Sequence, residues 1–463
     1  MDVIILLSQA LAVCPGLLLG GQGQKSKLLL KSPVYRVDKK YIMPGMKAPD
    51  RRLSTVSGTT DATTSTQETA TSRRHRRHRN VKPHGKPFEI LILENIKPAS
   101  DDQLHIENYK FLASYNWKKT EKPTIYVPGA PARWTSPKLP TTASKDTSES
   151  ASEKGDKMIL PPAYAPFFAS LQEMQPTYSF LPVSLVTDRN SLRKLLGFAS
   201  GHARQDWRIY VELVKDTLFL IRWEADKRRI MTGSLNSGYG HSLEKKFAKF
   251  DKDLKSSTHH HRIAEYDVGG MKWVVRYEAD GYLEEESGSS EDTAEGNPQP
   301  EAEVATPDAE SPPPAAAEPE PKSVEGVDVI QKGRIVPPES IIEIKTKNGR
   351  PKSNSRLDVD KVTQCWFSQT KSVFLVHHQD GAVDSEPVKI DLGFEDWEKK
   401  QQARLGKLIT IIKEITEIAR RVEGGRCCLY CDRKESPSAI RIFKSNEDNL
   451  KMSEELKKKY WGE

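Results

Sequence analysis

Apolar residues recur at helical spacing in three stretches of the chain from Tyr164 onward. At that spacing, one face of each helix would be buried against the rest of a domain. The three stretches are residues 167–174, 191–198 and 405–422. Asp188 is placed to cap the second helix, and Gly424-Gly425 to end the third. A shorter helix is predicted at residues 364–369.

β-Branched and aromatic runs predict the strands of a sheet. Two strand pairs are indicated, residues 208–214 with 217–223 and residues 263–266 with 271–277. Further strands are predicted at residues 88–93, 341–344, 372–377 and 387–392. Residues 111–117 and 123–129, rich in aromatic residues and proline, are expected to cross the surface of the domain in extended form. The mixture of helices and strands indicates an α+β fold class.

Composition indicates that much of this 463-residue chain is not packed, because the hydrophobic fraction is 36% and the mean hydropathy is −0.63. We expect one globular domain in two parts, interrupted by a disordered acidic insertion and preceded by a long disordered N-terminal region. An extended segment with a linker and a C-terminal tail, with a solvated helix at residues 451–459, complete the chain. The predicted boundaries are 1–85 for the N-terminal region, 86–160 for the extended segment and linker, 161–283 and 339–425 for the two parts of the domain, 284–338 for the insertion, and 426–463 for the tail.

The net charge of +7 is unevenly distributed, with a basic block at residues 73–79 and an acidic run at residues 284–325. A basic run can be a solvated tail, a nuclear import signal or a segment that contacts phosphates. Residues 3–19 are mostly apolar but short for a membrane span, and they fit a weak signal peptide, an organellar presequence or a mispredicted start codon. The basic block and the few cysteines favour a nuclear or cytoplasmic protein without a membrane partner.

Cysteine and histidine patterns give little evidence of a metal site. Five cysteines do not form a disulfide framework for a chain of this length. Cys428 and Cys431 have the spacing of a zinc pair, but no second pair follows them. The run His259-His260-His261 is more typical of an exposed loop.

Two acidic motifs that are far apart in the chain lie in strand-like runs, Glu278 with Asp280 and Glu343 with Lys345. In a strand, alternate side chains share a face, so the members of each pair would project together. Three carboxylates and one ammonium fit poorly in an apolar core unless a cation neutralises them, and hard oxygen ligands suit Mg²⁺ or Mn²⁺. Lys345 would then orient or activate a water molecule. The alternative is a solvated ladder of ion pairs on an exposed sheet face.

From residue 183 to residue 420 the chain resembles the DXO family of RNA decapping nucleases, because five of that family's motifs occur in the same order. The family is a branch of the PD-(D/E)XK nuclease-like fold, so the resemblance implies a mixed central β-sheet flanked by helices. Residues 185–189 resemble the arginine motif, and residues 240–244 the G-Φ-x-Φ-E motif, with His241 in place of an apolar residue. The E-Φ-D, E-Φ-K-T and W-x-x-Q motifs are matched by residues 278–280, 343–346 and 366–369.

The resemblance implies a set of ligands for divalent cations, Mg²⁺ or Mn²⁺. Asp280, Glu343 and the backbone carbonyl of Ile344 would bind the cations. Glu244 and Glu278 would act as ligands directly or through water.

The same resemblance implies metal-assisted hydrolysis at RNA 5′ ends that are incompletely or unusually capped. Lys345 and Gln369 would hold the attacking water or the scissile phosphate, and Arg189 would contact substrate phosphates. The resemblance also leaves room for an exonuclease partner. Three departures from the family pattern, His241, Asn190 and the acidic insertion, leave open a non-catalytic member that binds RNA or protein.

The resemblance extends to fungal proteins that often carry a geranylgeranyl pyrophosphate synthetase label, but that chemistry is disfavoured. A prenyl diphosphate synthase needs DDxxD motifs on helices to hold its magnesium-bound diphosphate. The adjacent aspartates Asp101-Asp102 are followed by Gln103-Leu104-His105, which does not complete such a motif.

Overall fold

The computed structural model describes residues 82–99, 103–146, 161–223, 238–284, 320–351 and 357–462. The apolar run at residues 3–19 and the basic block at residues 73–79 lie outside these residues, as does most of the predicted acidic insertion. Within the described ranges, no helix has both the length and the apolar character that a membrane span requires.

Six α-helices lie in the described part of the chain, and each buries apolar residues on one side. They are α1 (Ala165–Met174), α2 (Arg189–Ala199), α3 (Gly240–Phe247), α4 (Val359–Ser368), α5 (Glu395–Arg420) and α6 (Glu454–Trp461). Short 3₁₀ helices occur at Leu93–Asn95, Lys252–Leu254, Pro338–Ser340 and Glu423–Gly425. The three helices predicted from hydrophobic spacing are confirmed as α1, α2 and α5, and the shorter predicted helix is confirmed as α4. Asp188 is the N-cap residue of α2, but its carboxylate pairs with Arg276 instead of capping the helix.

Twenty strands accompany the helices within the described residues. In chain order they are β1 (Glu89–Ile92), β2 (Glu107–Lys118), β3 (Thr124–Gly129), β4 (Arg133–Trp134), β5 (Thr141–Thr142), β6 (Leu185–Asp188), β7 (Trp207–Val214), β8 (Thr217–Arg222), β9 (Ala248–Lys249), β10 (Ser257–Val268), β11 (Met271–Ala279), β12 (Gly281–Tyr282), β13 (Lys322–Val324), β14 (Val327–Gly333), β15 (Ile341–Asn348), β16 (Ser372–His378), β17 (Ala382–Val383), β18 (Val388–Asp391), β19 (Arg426–Cys431) and β20 (Ala439–Lys444).

The strands form a large mixed sheet and two smaller sheets. The large sheet has twelve strands in the order β1-β20-β19-β7-β8-β6-β11-β10-β2-β3-β14-β13. A second sheet has the order β18-β16-β15-β12-β4-β9, and β17 pairs with β5 in the third. Most neighbours are antiparallel. The parallel pairs are β6 with β8 and with β11, β3 with β14, β4 with β12, and β15 with β16.

Helices cover both faces of the twelve-stranded sheet. On one face, Trp366 of α4 and Ile412 of α5 belong to the same buried core as Trp273 of β11. On the other face, Trp461 of α6 packs in a core that contains Val274, the next residue of β11. Neighbouring residues of a strand point to opposite faces, so the centre of β11, Trp273-Val274-Val275, is apolar on both sides. The predicted α+β class, with a mixed central sheet flanked by helices, is confirmed.

Three segments placed outside the domain by the sequence contribute strands to the large sheet. The extended segment forms β2 and β3, which are not on the surface because β2 is paired on both edges, with β10 and β3. The end of the predicted insertion forms β13 and β14, and β14 pairs with β3. The predicted tail supplies β19 and β20, which pair with each other and with β7 and β1, and its last helix buries Trp461. Three predictions were therefore wrong for these described residues: the surface position of β2 and β3, the disorder of the segment that forms β13 and β14, and the solvated helix at the C-terminal end.

The histidine run is also not an exposed loop, because it lies in β10. That strand is hydrogen-bonded to β2 on one edge and β11 on the other, so His260 is buried. Cys428 and Cys431 lie in β19, where Cys428 packs with Tyr430 on one face and Cys431 in the opposite core. Because the two thiols face away from each other, they cannot share a metal ion.

Candidate active site

The candidate site lies where the chain passes from the twelve-stranded sheet to the six-stranded sheet. Asp280 separates β11, in the first sheet, from β12, in the second. β12 pairs antiparallel with β15, with Gly281 opposite Ile342, and this register brings Asp280 beside Glu343. A side chain at Gly281 would approach the carbonyl oxygen of Ala132 to 2.9 Å, so glycine permits the close passage of the strands.

Lys345 joins the two acidic motifs. Its Nζ donates hydrogen bonds to Asp280 Oδ2 at 3.0 Å and to Glu343 Oε1 at 2.7 Å. The backbone N–H of Ile344 also donates to Asp280 Oδ2, at 2.8 Å. Side-chain exposure is 0% for Glu343, 11% for Asp280 and 15% for Lys345. The alternative of a solvated ladder of ion pairs is therefore wrong, since these ion pairs are buried.

Arg189 binds Glu343 from the other side. As the first residue of α2 it follows β6, which runs parallel to β11, and this topology directs it to the cluster. Its Nη1 and Nη2 donate to the two oxygens of Glu343 at 3.1 and 3.3 Å, and Nη2 also donates to the backbone oxygen of Glu278. Ser368 Oγ accepts a further hydrogen bond from Nη1. Arg189 is thus buried in the cluster while also lining the adjacent cleft.

The buried charges shift one another's protonation. Burial acts to raise the pKa of Glu343, but Arg189 and Lys345 lower it to about 2. Burial, followed by the charge of Glu343, raises the pKa of Asp280 to about 6. Lys345 is desolvated, yet the carboxylates of Asp280 and Glu343 raise its pKa, so it is charged at neutral pH. Glu343 and Lys345 are therefore a stable ion pair. Ionisation of Asp280, by contrast, is disfavoured by burial and by the negative charge of Glu343.

Glu244 and Glu278 add two more carboxylates to the cluster. Burial, followed by the charge of Asp280, raises the pKa of Glu244, and burial raises that of Glu278. Glu244 lies on α3, whose first turn is held by Asp146, because the carboxylate accepts hydrogen bonds from the backbone N–H groups of His241 and Ser242. The Asp146 carboxylate thereby binds backbone N–H groups of the first turn, which have no hydrogen-bond partner within the helix.

Two histidines lie beside these outer carboxylates. The rings of His241 and His259 stack with centroids 5.8 Å apart. His241 Nδ1 is 3.9 Å from Glu244 Oε2, and His259 Nε2 is 3.7 Å from Glu278 Oε1. Burial lowers the pKa of His241 and lowers that of His259 to about 3, so both rings are neutral at neutral pH. His241 stands where the family motif has an apolar residue, so a neutral imidazole lies next to Glu244.

The structure brings together every predicted site residue except Gln369. Gln369 has a left-handed backbone conformation at the end of α4, with φ of 51°, and its Nε2 donates to the backbone oxygen of Trp366. It lines a separate cavity of about 450 Å³ that also borders Phe394. Gln364, which sequence reasoning missed, contacts Glu343 instead. It lies one helical turn before Ser368, which binds Arg189, so both side chains face the cluster; no pattern in the sequence singles it out.

A cleft of about 390 Å³ opens from the cluster at Arg189, Glu278 and Gln364. Its walls are rich in guanidinium groups and aromatic rings, and the C-terminal segment contributes to one side. Besides the cluster residues, the lining includes Tyr115, Trp117, Arg193, Tyr210, Arg222, Trp223, His261, Arg276 and Lys451. Such a surface suits an anionic ligand that also carries planar rings.

The donors fit a divalent cation in chemistry and charge. Carboxylates and the Ile344 carbonyl are the hard oxygen ligands that Mg²⁺ and Mn²⁺ prefer. Fully ionised, the four carboxylates of Glu244, Glu278, Asp280 and Glu343 exceed the two cations, Lys345 and Arg189, by two charges. Within the described residues, however, no three Asp, Glu, His or Cys side chains are close enough together to hold an ion as they stand. The described residues thus match a divalent cation in donor chemistry and charge but not in the positions of their side chains.

Comparison with known proteins shows the family of the chain and its fold. Residues 90–461 match a family model described as Domain of unknown function (DUF8563). No curated protein matches the chain.

The fold is similar to that of Rai1 from Scheffersomyces stipitis, at 10% identity over 82% of this chain and 99% of that one, with a TM-score of 0.50. A complex of S. stipitis Rai1 with (3′-NADP)⁺ and calcium ion gives 9% identity over 80% and 99%, and a TM-score of 0.50. At these identities the likeness concerns the fold alone. Since the family model covers most of the sequence, this chain belongs to the family described as Domain of unknown function (DUF8563).

Proposed function

We propose that this protein is a divalent-cation-dependent hydrolase that cleaves a phosphodiester or pyrophosphate bond at the 5′ end of RNA. The observation that carries the proposal is the buried cluster of Asp280, Glu343 and Lys345, joined through Arg189 and Gln364 to a basic, aromatic cleft. The motifs shared with the DXO family supply the reaction class. The exonuclease partner that this resemblance allows remains a prediction.

In this proposal the carboxylates hold the cation. Asp280, Glu343, Glu278 and Glu244 are the side-chain ligands, with the carbonyl of Ile344 as the backbone ligand. When bound, the cation neutralises charge on the phosphate and lowers the pKa of the attacking water. The raised pKa values of Glu244, Glu278 and Asp280 support this role, because a bound cation relieves the repulsion among them.

Lys345, Arg189 and Gln364 position the reacting groups. Lys345 is charged and has three donor hydrogens, so it can donate to a phosphate oxygen or hold the attacking water. Arg189 fixes the orientation of Glu343 by its two hydrogen bonds to the carboxylate. Gln364 takes the place that the motif comparison gave to Gln369, since it both contacts Glu343 and lines the cleft.

The cleft supports RNA as the substrate. A single strand of RNA is bound by guanidinium groups along its phosphates and by aromatic rings on which its bases stack. Arg193 and Arg222 supply the first kind of contact, and the partly exposed rings of Tyr210 and Trp223 the second. S. stipitis Rai1, which has a similar fold, forms a complex with (3′-NADP)⁺ and calcium ion, a dinucleotide and a divalent cation.

The test is hydrolysis of RNAs that differ only at the 5′ end. Purified protein with Mn²⁺ should cleave at least one of the 5′-triphosphate, NAD-capped and 5′-monophosphate RNAs, and Asp280→Asn should reduce the rate by about 100-fold or more. Asp391→Asn is the matched control, because Asp391 is an exposed aspartate on β18, outside the cleft. If all three RNAs stay intact while a known nuclease consumes them, the proposed reaction is wrong.

A second candidate function is non-catalytic RNA binding. One observation favours it. Glu343 already contacts Arg189, Lys345 and Gln364, and these contacts together occupy both of its carboxylate oxygens. In that case the protein binds the same RNAs with unchanged affinity whether Mn²⁺ or EDTA is present, and calorimetry detects no Mn²⁺ binding.

A further inference from the structure

Four side chains at the outer edge of the carboxylate cluster lie together as two histidine–glutamate pairs. On α3, His241 Nδ1 is 3.9 Å from Glu244 Oε2, and between β10 and β11, His259 Nε2 is 3.7 Å from Glu278 Oε1. The two imidazole rings stack with an angle of 14° between their planes, and this contact joins the pairs. Two imidazoles and two carboxylates therefore meet at the edge of the cleft, which His259 and Glu278 line.

These four side chains have no other polar partner in the part of the chain that the structure describes. Both nitrogen–oxygen separations are longer than a hydrogen bond, and neither glutamate forms an ion pair with a described lysine or arginine. His259 has a side-chain exposure of only 10%, and its Nδ1 is buried without a partner among the described residues. Because buried polar groups normally have partners, this group of side chains indicates a ligand.

The inner carboxylate of the cluster is in a different situation. Glu343 is bound by Arg189 and Lys345, so its negative charge is already compensated. The outer glutamates have only neutral imidazoles beside them. An added positive charge is therefore better accommodated beside the outer glutamates.

The separation within each pair is close to the one that a shared metal ion requires. Zn²⁺ binds imidazole nitrogen and carboxylate oxygen at about 2.0–2.2 Å in a tetrahedron, so two of its ligand atoms are about 3.4 Å apart. Side-chain exposures of 35% for Glu244 and 40% for Glu278 leave both carboxylates room to turn toward the imidazoles. Such a turn is required, because no three described side chains of this kind can hold an ion in their present positions.

The imidazoles determine which kind of ion suits this group. Mg²⁺ takes oxygen ligands and keeps several of its waters, whereas imidazole nitrogen suits Zn²⁺ and related transition-metal ions. Both rings are neutral at neutral pH, so each has one nitrogen with a free lone pair. His241 and Glu244 are three residues apart on one helix face, and a glutamate and a histidine at this separation also bind the ions of di-iron carboxylate proteins.

We propose that the two histidines, together with Glu244 and Glu278, form a metal site that binds a nitrogen-preferring transition-metal ion such as Zn²⁺ more tightly than Mg²⁺. This inference deepens the proposed function and rests on it for the role of the ion in hydrolysis. His241 is the position at which the chain departs from the family motif, and the departure changes the choice of ion.

The test measures the binding of each metal ion alone. Zn²⁺ and Mg²⁺ are added separately to the full chain, without RNA, and followed by isothermal titration calorimetry. The original protein should bind Zn²⁺ at least about 100-fold more tightly than Mg²⁺. His241→Leu, which restores an apolar residue, should weaken Zn²⁺ binding by about tenfold or more and Mg²⁺ binding by less than about twofold. His259→Leu should have the same effect, because it removes the other nitrogen ligand.

Co²⁺ gives a second readout, because its visible absorption bands depend on the atoms that bind it. These bands should shift or weaken in His241→Leu and in His259→Leu. His105→Leu is the matched control, since it removes an exposed histidine that also lies beside a carboxylate, 3.0 Å from Glu107, but outside the cluster. It should leave the Co²⁺ spectrum and both affinities unchanged, and circular dichroism checks that each variant is folded.

Three results would overturn the proposed metal site. They are binding of Zn²⁺ that is absent or no tighter than that of Mg²⁺, a folded histidine variant that binds Zn²⁺ as tightly as His105→Leu does, and equal losses of Zn²⁺ and Mg²⁺ affinity. Failure of the proposed function has a different signature. If Zn²⁺ binding depends on His241 and His259 but no RNA is hydrolysed with Zn²⁺ or Mn²⁺, the metal site is upheld and the reaction is rejected.

Discussion

Glu343 is the most enclosed side chain of the candidate site. It is fully buried, and its two oxygens accept hydrogen bonds from Arg189 and Lys345 and contact Gln364. Its lowered pKa shows that the two cations more than compensate for the loss of water. Glu343 is therefore as much a part of the structure as of the proposed chemistry, since without it two cations would be buried with a single close carboxylate, Asp280.

We predict that Glu343→Ala lowers the free energy of unfolding by about 3–5 kcal/mol, because it leaves buried positive charge uncompensated. Urea unfolding in EDTA measures the change. Glu278→Gln is the comparison, because burial raises the pKa of Glu278 and a neutral side chain suits that environment. Its stability should be unchanged or slightly higher. Equal losses in the two variants would show that Glu343 does not have this structural role.

The individual site residues could be predicted from sequence where their position follows from strand alternation. Asp280, Glu343 and Lys345 lie at neighbouring strand positions, and the structure places them in contact. Gln369 could not be placed in this way, because the end of α4 turns into a left-handed conformation and directs the side chain away.

At the scale of elements, the sequence predicted strands that have a clear local pattern, including β1, but it did not predict β14 and β19, whose neighbours in the sheet are far away in the chain. The β7–β8 hairpin follows from one short turn. By contrast, β14 pairs with β3 and β19 with β7, each about two hundred residues away in the chain. β19 has a nearly continuous apolar sequence typical of a buried strand, but it follows the two glycines at which the predicted domain ends.

The C-terminal helix α6 gives an element-scale prediction. Trp461 stacks on Phe180 with ring centroids 5.0 Å apart, and its Nε1 donates to Thr217 Oγ1 at 3.0 Å. Trp461→Ala should therefore lower the free energy of unfolding by about 3–5 kcal/mol, measured by urea unfolding. Lys458→Ala, on the exposed side of the same helix, should change it by less than about 0.5 kcal/mol. A small effect of both substitutions would mean that α6 is not part of the folded core.

At the scale of the whole molecule, the cluster joins chain segments that are far apart. Arg189, Glu244, Asp280, Glu343 and Gln364 come from α2, α3, the β11–β12 junction, β15 and α4, and they link the two larger sheets. Opening of the sheet junction would expose these charges to water. The ionisation of the cluster is therefore coupled to global unfolding, and stability should depend on pH.

Asp280 and Glu343 contribute to this dependence with opposite signs. The pKa of Glu343 is lowered to about 2, so its stabilising effect is present at neutral pH and is lost as the pH falls from about 4 toward 2. The pKa of Asp280 is raised to about 6, so the folded protein binds a proton more tightly than the unfolded chain does. Its stabilising contribution is complete below about pH 4 and is lost as the pH rises through 6.

We predict that the difference in the free energy of unfolding between the original protein and Asp280→Asn falls as the pH rises from about 4 to about 6, and is constant above about pH 7. The asparagine keeps the shape of the protonated acid but cannot ionise, so other groups contribute nearly equally to both proteins. Urea unfolding at a series of pH values in EDTA measures the difference. Parallel curves for the two proteins across this range would mean that Asp280 titrates alike in the folded and unfolded chain, and that the cluster does not oppose its ionisation.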